Sequence, residues 1–176
     1  MTEVFSFTPE EMELIRSEAK KKLFNRRNSW MTNISEEKML RQQLCGQLGN
    51  AGLSKLLCGT LEMYIEDRRR ANMDKYQGDH GMDVPDMPID IKTSWASCGW
   101  DYDYQLWVPG WDYKPRINYV LGLVPRDNFT SVHIIGWKRG TNLRPDPCQG
   151  NEGRMGISWK NLNPLETLTQ KYGRNK

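Results

Sequence analysis

The first clear period along the chain is helical. Met12, Ile15, Ala19 and Leu23 recur at steps of three and four residues. Thr8 stands where a side chain caps such a helix, Pro9 takes its first position, and Glu11 follows the cap at capping-box spacing. Lys20, Lys21, Lys22, Arg26 and Arg27 gather toward its end, where cations suit the helix dipole. Ser35 opens a second helix that runs to about Leu57, with Leu40, Leu44, Leu48, Ala51 and Leu56 on one stripe. Gly46, Gly49 and Gly52 lie inside it, each costing about 1 kcal/mol relative to alanine. Their presence implies that a sheet or a substrate backbone approaches closely, and packing against a sheet is the simpler reason.

Residues 60–77 give a mixed signal and read only as a charged connection. The period then changes to two. Residues 81–95 predict a tight hairpin, while 117–124 (INYVLGLV) and 131–137 (SVHIIGW) predict buried strands rich in β-branched residues. Residues 139–156 read as a Gly/Pro/Asn loop, and one small helix is expected after Pro164. Helices come first and a sheet follows, which gives an α/β or α+β architecture.

A length of 176 residues fits one domain with a substantial core, and 38% hydrophobic against 27% charged residues argues against a disordered chain. No apolar run approaches the roughly 18–20 residues that span a bilayer, and the N-terminus lacks a basic-then-apolar leader pattern. Membrane association and secretion are therefore not expected. Cys45, Cys58, Cys98 and Cys148 form no C-x-x-C pair and read as reduced structural thiols of a cytoplasmic protein. Charge is unevenly spread. Residues 1–80 carry 13 basic and 12 acidic groups, 81–113 carry Lys92 against six aspartates, and 114–176 carry 11 basic against 4 acidic. An acidic centre followed by a basic third suits a cation site beside a polyanion-binding surface, although a segregated solvated surface would look the same.

The chemistry concentrates in the run from Asp79 to Lys92, DHGMDVPDMPIDIK. Along a strand, residues two apart share a face, so Asp90 and Lys92 point one way while Ile89 and Ile91 enter the core. Folding the hairpin about Asp86-Met87 places Asp83 opposite Asp90, with Cβ atoms about 4.5–5.5 Å apart. Two opposed carboxylates repel unless a cation lies between them, and carboxylate oxygens are the ligands that Mg²⁺ takes. Lys92, next along that face, would stabilise negative charge developing on a phosphate.

Asp…Asp-x-Lys across a hairpin, preceded by a glycine-bearing helix and followed by two core strands, resembles the PD-(D/E)XK nuclease superfamily. GDHGMDV…IDIKTS is similar to the active-site hairpin of its phage and microbial members, restriction-type and homing-type endonucleases among them. The resemblance covers roughly residues 40–140 and rests on a short, degenerate motif. It implies a restriction-endonuclease-like α/β core, a mixed β-sheet flanked by N-terminal helices. It divides a single domain, 1–176, into an N-terminal helical extension (1–34), a catalytic core (35–138), and a basic loop with C-terminal segment (139–176). It also implies that Asp83 and Asp90 ligate the metal with the Ile91 carbonyl, and that Lys92 is the catalytic lysine. The literal Pro85-Asp86 falls in the turn and is not the principal ligand. Many relatives carry a glutamate on the first core helix, where this chain has Asn50 in Gly46-Gln47-Leu48-Gly49-Asn50. Asn50 and Gln47 would then stand behind the metal ligands without adding charge, which leaves a second metal open, with Glu62 an alternative acid.

The implied activity is Mg²⁺-dependent hydrolysis of double-stranded DNA, site-specific in the homing or restriction manner, with Mn²⁺ able to substitute. Cutting both strands favours a homodimer, and the expected compartment is the cytoplasm of a bacterial or phage-infected cell. Three other readings stay open: a DNA-binding module with a degenerate site, a nuclease for branched DNA or RNA, and a structural or interaction protein that uses its aromatic segment. Candidate DNA contacts are Arg68, Arg69, Arg70, His80, Ser94, Lys138, Arg139, Arg144 and Arg154. Seven aromatics between Trp95 and Tyr113 could stack on bases, but the interleaved Asp101, Asp103 and Asp112 make core or interface packing the better account. His133, in an apolar strand, reads as a core histidine.

Overall fold

The computed structural model describes residues 2–26, 35–73, 87–96, 105–110, 112–145 and 154–173. The protein is mixed α/β, and its described elements follow one another as β1 (Glu3–Ser6), α1 (Pro9–Arg26), α2 (Glu36–Cys58), α3 (Glu62–Met73), β2 (Ile89–Ala96), β3 (Gln105–Pro109), β4 (Asn118–Pro125), β5 (Ser131–Arg139), β6 (Arg144–Pro145), β7 (Arg154–Ser158) and α4 (Leu165–Tyr172). One mixed sheet runs β1-β5-β4-β2, with β2 parallel to β4 and the other pairs antiparallel. A second, antiparallel sheet runs β3-β7-β6.

The helix signals act as their residues predict. The Thr8 amide donates to Glu11 Oε2 at 2.8 Å and the Glu11 amide donates back to Thr8 Oγ1 at 3.3 Å, a closed capping box. Ser35 caps α2 by accepting from the Lys38 amide at 3.3 Å, and Gly59 ends it in the left-handed region at φ 75°. Where α2 differs is in its burial. From Gln47 to Ser54 every residue is buried, so this stretch presents no solvent face. The reason is its position: α1, α3 and the mixed sheet all pack around it. Lys55 ties α2 to the chain start, donating to Glu11 Oε2 at 2.8 Å and to the Ser6 carbonyl at 3.0 Å.

Two cores lie on opposite faces of the mixed sheet. On the helix side Ile89, Ile91, Val120, Val124, Val132 and Ile134 meet Leu48, Ala51 and Leu53, with Leu165 and Leu168 of α4. On the other side Tyr119, Leu121, Leu123 and Ile135 meet Leu106 and Val108 of the second sheet. The β4–β5 register shifts at Leu121/Gly122, a bulge that leaves Ile135 without a partner on β4 and puts it and Gly136 on that second side in succession.

Three expectations need correction. The sheet does not begin after the helices, since β1 pairs with β5 and Met12 and Ile15 of α1 belong to the main core. The mixed stretch after residue 60 is helix α3. The loop expected over 139–156 instead begins with a 3₁₀ turn, Gly140–Asn142, and contributes β6 and the start of β7. The hairpin partner of β2 at 81–86, and with it the register of Asp83 against Asp90, lies outside the described residues.

Close approach of α2 to the sheet accounts for two of its glycines. A Cβ on Gly49 would overlap Thr93 Oγ1, and one on Gly52 would overlap Val132 Cγ1, whereas Gly46 has nothing within 4 Å. Gly49→Ala should therefore lower stability by about 1–3 kcal/mol through overpacking, although alanine is the better helix former by about 1 kcal/mol. Thr93→Ala in the same chain should recover most of the loss, and Gly46→Ala should be neutral or stabilising. Urea denaturation of these variants checks the set. A Gly49→Ala protein as stable as the parent would show that the layers part freely there.

Candidate active site

Strand alternation on β2 puts Asp90 and Lys92 on the face away from α2, in register with Tyr119 and Leu121 of β4. Asp90 is 3% exposed. Lys92 Nζ lies 2.7 Å from Asp90 Oδ2 and also donates to Asp112 Oδ2, so one ammonium joins two carboxylates. Burial works against the charge on Lys92, but Asp90 and then Asp112 more than offset it and hold the lysine above its ordinary pKa. At neutral pH it is an ammonium, suited to neutralising an anion and not to accepting a proton.

Asp112 reaches this site because the turn that carries it is fixed from three sides. Its own amide donates to the Pro109 carbonyl at 2.9 Å, closing the turn after β3. The fully buried Tyr119 hydroxyl donates to the Asp112 carbonyl at 3.2 Å and accepts from the Lys114 amide at 2.7 Å. Burial pushes the Tyr119 phenol up to about 12, which keeps it protonated for that role. The Tyr113 hydroxyl adds a bond to the Gly140 carbonyl at 3.0 Å.

The main chain of β2 supplies a further oxygen. The Asn118 amide donates to the Pro88 carbonyl at 2.8 Å, so residues 88, 90 and 92 turn their backbone groups toward β4. By alternation the Ile91 carbonyl lies on the opposite side of the strand, while the Ile91 side chain is in the main core. Among the described residues no group of three or more His, Cys, Asp or Glu converges as a metal site. The two carboxylates that do converge, Asp90 and Asp112, meet at the Lys92 ammonium, and Mg²⁺ is commonly held by one or two carboxylates with waters and substrate oxygens.

The remaining candidates are spread over the molecule. Asp83 and His80 lie outside the described residues. Gln47 and Asn50 are buried in α2, on the opposite face of the sheet from Asp90 and Lys92, and Gln47 accepts from the Tyr64 hydroxyl at 2.8 Å. Arg68 is buried against Asp67, donating from Nε at 2.9 Å. Arg69 and Arg70 both grip Glu66, at 2.9 and 2.8 Å, and their hydrogen bonds hold that carboxyl down at about 2. Ser94 is exposed and shares the Asp90–Lys92 face. Lys138 and Arg139 end β5, and the exposed Arg144 and Arg154 lie in the second sheet.

Asp112 is the residue that sequence reasoning missed. Its only local signal was an acid in a segment where a single lysine faces six aspartates. Of the aromatic run, Trp95 packs edge-on to Phe129 with centroids 6.3 Å apart, Tyr113 packs against the second core, and Trp107 lies against Gly156 of β7. His133 is half-buried in β5, and burial lowers its pKa. Cys45 is a buried free thiol pushed up to about 12 by burial. No described helix is long and apolar enough to cross a membrane. No family model, curated protein or solved structure matches this chain.

The Lys92 geometry has a direct consequence in titration. Because its folded pKa is raised, its ion pairs contribute fully below the unfolded value of about 10.4, and that contribution is lost as pH rises through the folded value. NMR of lysine ¹³Cε against pH should find Lys92 titrating above the ordinary lysines, and Asp112→Asn should bring it down. A Lys92 midpoint at or below the others would break the assignment of both ion pairs.

Proposed function

We propose that the protein is a Mg²⁺-dependent endonuclease that hydrolyses phosphodiester bonds in double-stranded DNA, with a restriction-endonuclease-like core. The observation that carries the reading is the pairing of a buried aspartate with a lysine two residues on, on one face of a strand whose next residue, Ile91, turns its carbonyl aside. Asp83 and Asp90 would hold the ion with that carbonyl, and Mn²⁺ would fill the same oxygen site. When bound, Mg²⁺ supplies Lewis-acid polarisation of the scissile phosphate.

The side chains of the chain itself do the rest. Asp90, almost fully withdrawn from water, presents a carboxylate in a fixed direction. Lys92 stays protonated and meets the negative charge that builds on the phosphate oxygens as the bond breaks. Asp112 is a positioning residue, since it holds the ammonium beside Asp90. The basic residues of 114–176 attract the polyanion, and cutting both strands with one site per chain calls for a homodimer. Asn50, on the far side of the sheet from Asp90 and Lys92, adds no acid to the site, and this favours a second reading as a DNA-binding module with a degenerate site.

Incubation with long mixed-sequence duplex DNA tests the proposal. Discrete fragments should form with Mg²⁺ or Mn²⁺ and not with EDTA, and Asp83→Asn, Asp90→Asn and Lys92→Ala should each slow cleavage by about 10²–10³-fold. Cleavage that survives EDTA, or that Lys92→Ala leaves unchanged, would overturn the mechanism. Duplex binding without divalent-ion binding or cleavage would establish the second reading in its place.

A further inference from the structure

The second sheet builds a groove that the Asp90–Lys92 site does not use. Gln105 and Trp107 of β3, Lys138 of β5, Asn142, Arg144 of β6 and Asn161 line a cavity of about 810 Å³. That volume falls within the ~300–1,000 Å³ of sites that hold organic ligands. Among the described residues that line it there is no carboxylate, so its two cations are not neutralised from within. Lys138 Nζ donates to the Asn161 carbonyl at 2.7 Å, a neutral partner that fixes the ammonium at the wall and leaves its charge. Arg144 is exposed and forms no ion pair with a described residue. Trp107 pairs with Gly156 across the β3–β7 ladder, and a Cβ there would come within 2.6 Å of the indole ring. The indole therefore rests directly on the β7 backbone and forms a fixed aromatic wall.

Cations, an aromatic wall and side-chain amides, with no acid among the described lining residues, select an anion that carries flat rings with hydrogen-bonding edges. A nucleotide has that chemistry. In a duplex the bases are stacked on one another, so a protein ring reaches a base face only where the strand is unpaired. We propose that this groove binds an unpaired stretch of nucleic acid, with phosphates at Lys138 and Arg144 and a base against Trp107. The proposal rests on the nuclease reading for the class of polymer and adds where a strand lies beside the cut. Register supports the placement. Asp90 is opposite Tyr119, and Tyr119 is opposite Lys138, so all three share one face of the mixed sheet. At strand spacings of about 4.8 Å, Lys138 stands about 10 Å from Asp90, with the buried Tyr119 between them, so a strand that joins groove and site passes around the second sheet and not along the row.

Fluorescence anisotropy with a labelled oligothymidylate of about 15 nucleotides, in EDTA so that no cleavage intervenes, tests the groove on the whole chain. The oligonucleotide should bind more tightly than thymidine monophosphate and more tightly than a blunt duplex of the same length. Arg144→Glu and Asn142→Asp, both at exposed positions, should weaken it by about tenfold or more, and Arg144→Ala should lower the salt slope of binding by about one. Equal binding of duplex and single strand, a mononucleotide as tight as the oligomer, or Arg144→Glu and Asn142→Asp variants that bind normally would each overturn the proposal. Metal-dependent cleavage of duplex DNA alongside such a failure would leave the nuclease reading standing. Groove binding as expected, with no cleavage of any DNA, would overturn the nuclease reading and retain the groove.

Discussion

Thr93 sits in a notch between two glycines, and much of the architecture depends on that fit. Gly49 of α2 comes down on its hydroxyl from the helix layer, and a Cβ on Gly122 of β4 would lie only 3.2 Å from the same oxygen. With side chains at these positions the helix would ride higher. The contacts of Leu48, Ala51 and Leu53 with Ile89 and Ile91 would then open, because interiors packed near crystal density forfeit dispersion quickly when surfaces part. Glycine costs helix propensity at Gly49 and Gly52, and the main core returns that cost as buried apolar area. The same fit settles which residues of β2 face outward. Once 89, 91 and 93 are committed to the helix layer, a strand's two-residue period leaves 90, 92 and 94 for the other face.

On that other face charge dominates. The Lys92 side chain is 24% exposed, Asp90's 5% and Asp112's 19%, so three charged groups are largely withdrawn from water together. At an effective dielectric near 20, a unit pair at contact distance attracts by about 4 kcal/mol. Desolvation consumes much of this, and a partly buried ion pair is weak evidence of stability. Its firmer consequence is geometry. An ammonium held between two carboxylates keeps one position, and the phenol of Tyr119 fixes the turn that brings the second carboxylate there. The group of three carries one net negative charge, an electrostatic preference for a cation that lysine alone does not cancel.

Local pattern made some of this legible and left the rest unseen for identifiable reasons. The cap at Thr8, the cap at Ser35, the apolar runs of β4 and β5 and the amphipathic α4 are encoded within a few residues, so spacing and residue type were enough. The facing of Asp90 and Lys92 was equally local. β1 was missed because four residues, EVFS, have little intrinsic signal and become a strand only by pairing with β5, more than a hundred residues on. β6 and β7 pair with each other, and β7 with β3, across segments rich in turn residues, and that composition reads as loop until tertiary pairing overrides it. α3 carries so many charges that its one buried stripe, with Tyr64 and Met63, was diluted below recognition. Asp112 belongs to the same class of miss. It lies twenty residues from Lys92 and meets it only because the chain crosses beneath the sheet through β3 and returns in β4.

The two faces of chemistry on this molecule are parts of one row. Reading across β2, β4 and β5 on the side away from the helices, the residues in register are Asp90, Tyr119 and Lys138. The sign of charge therefore reverses over three strands, with a buried phenol as the divider. Tyr119 is neutral, and its hydroxyl is occupied by Asp112 and Lys114, so it separates the charges without belonging to either. Lys138 turns away from the row's acidic end toward Asn161, and Lys92 turns toward Asp90. The second sheet covers the middle of this row, so a polyanion meets only its ends: attraction at the β5 end and, at the β2 end, carboxylates that only a cation reconciles with phosphate. The bulge at Ile135 contributes to this arrangement. By adding one residue to β5 it returns Lys138, and not Trp137, to the face shared with Asp90, so one inserted residue decides on which side of the sheet the basic end of the row stands.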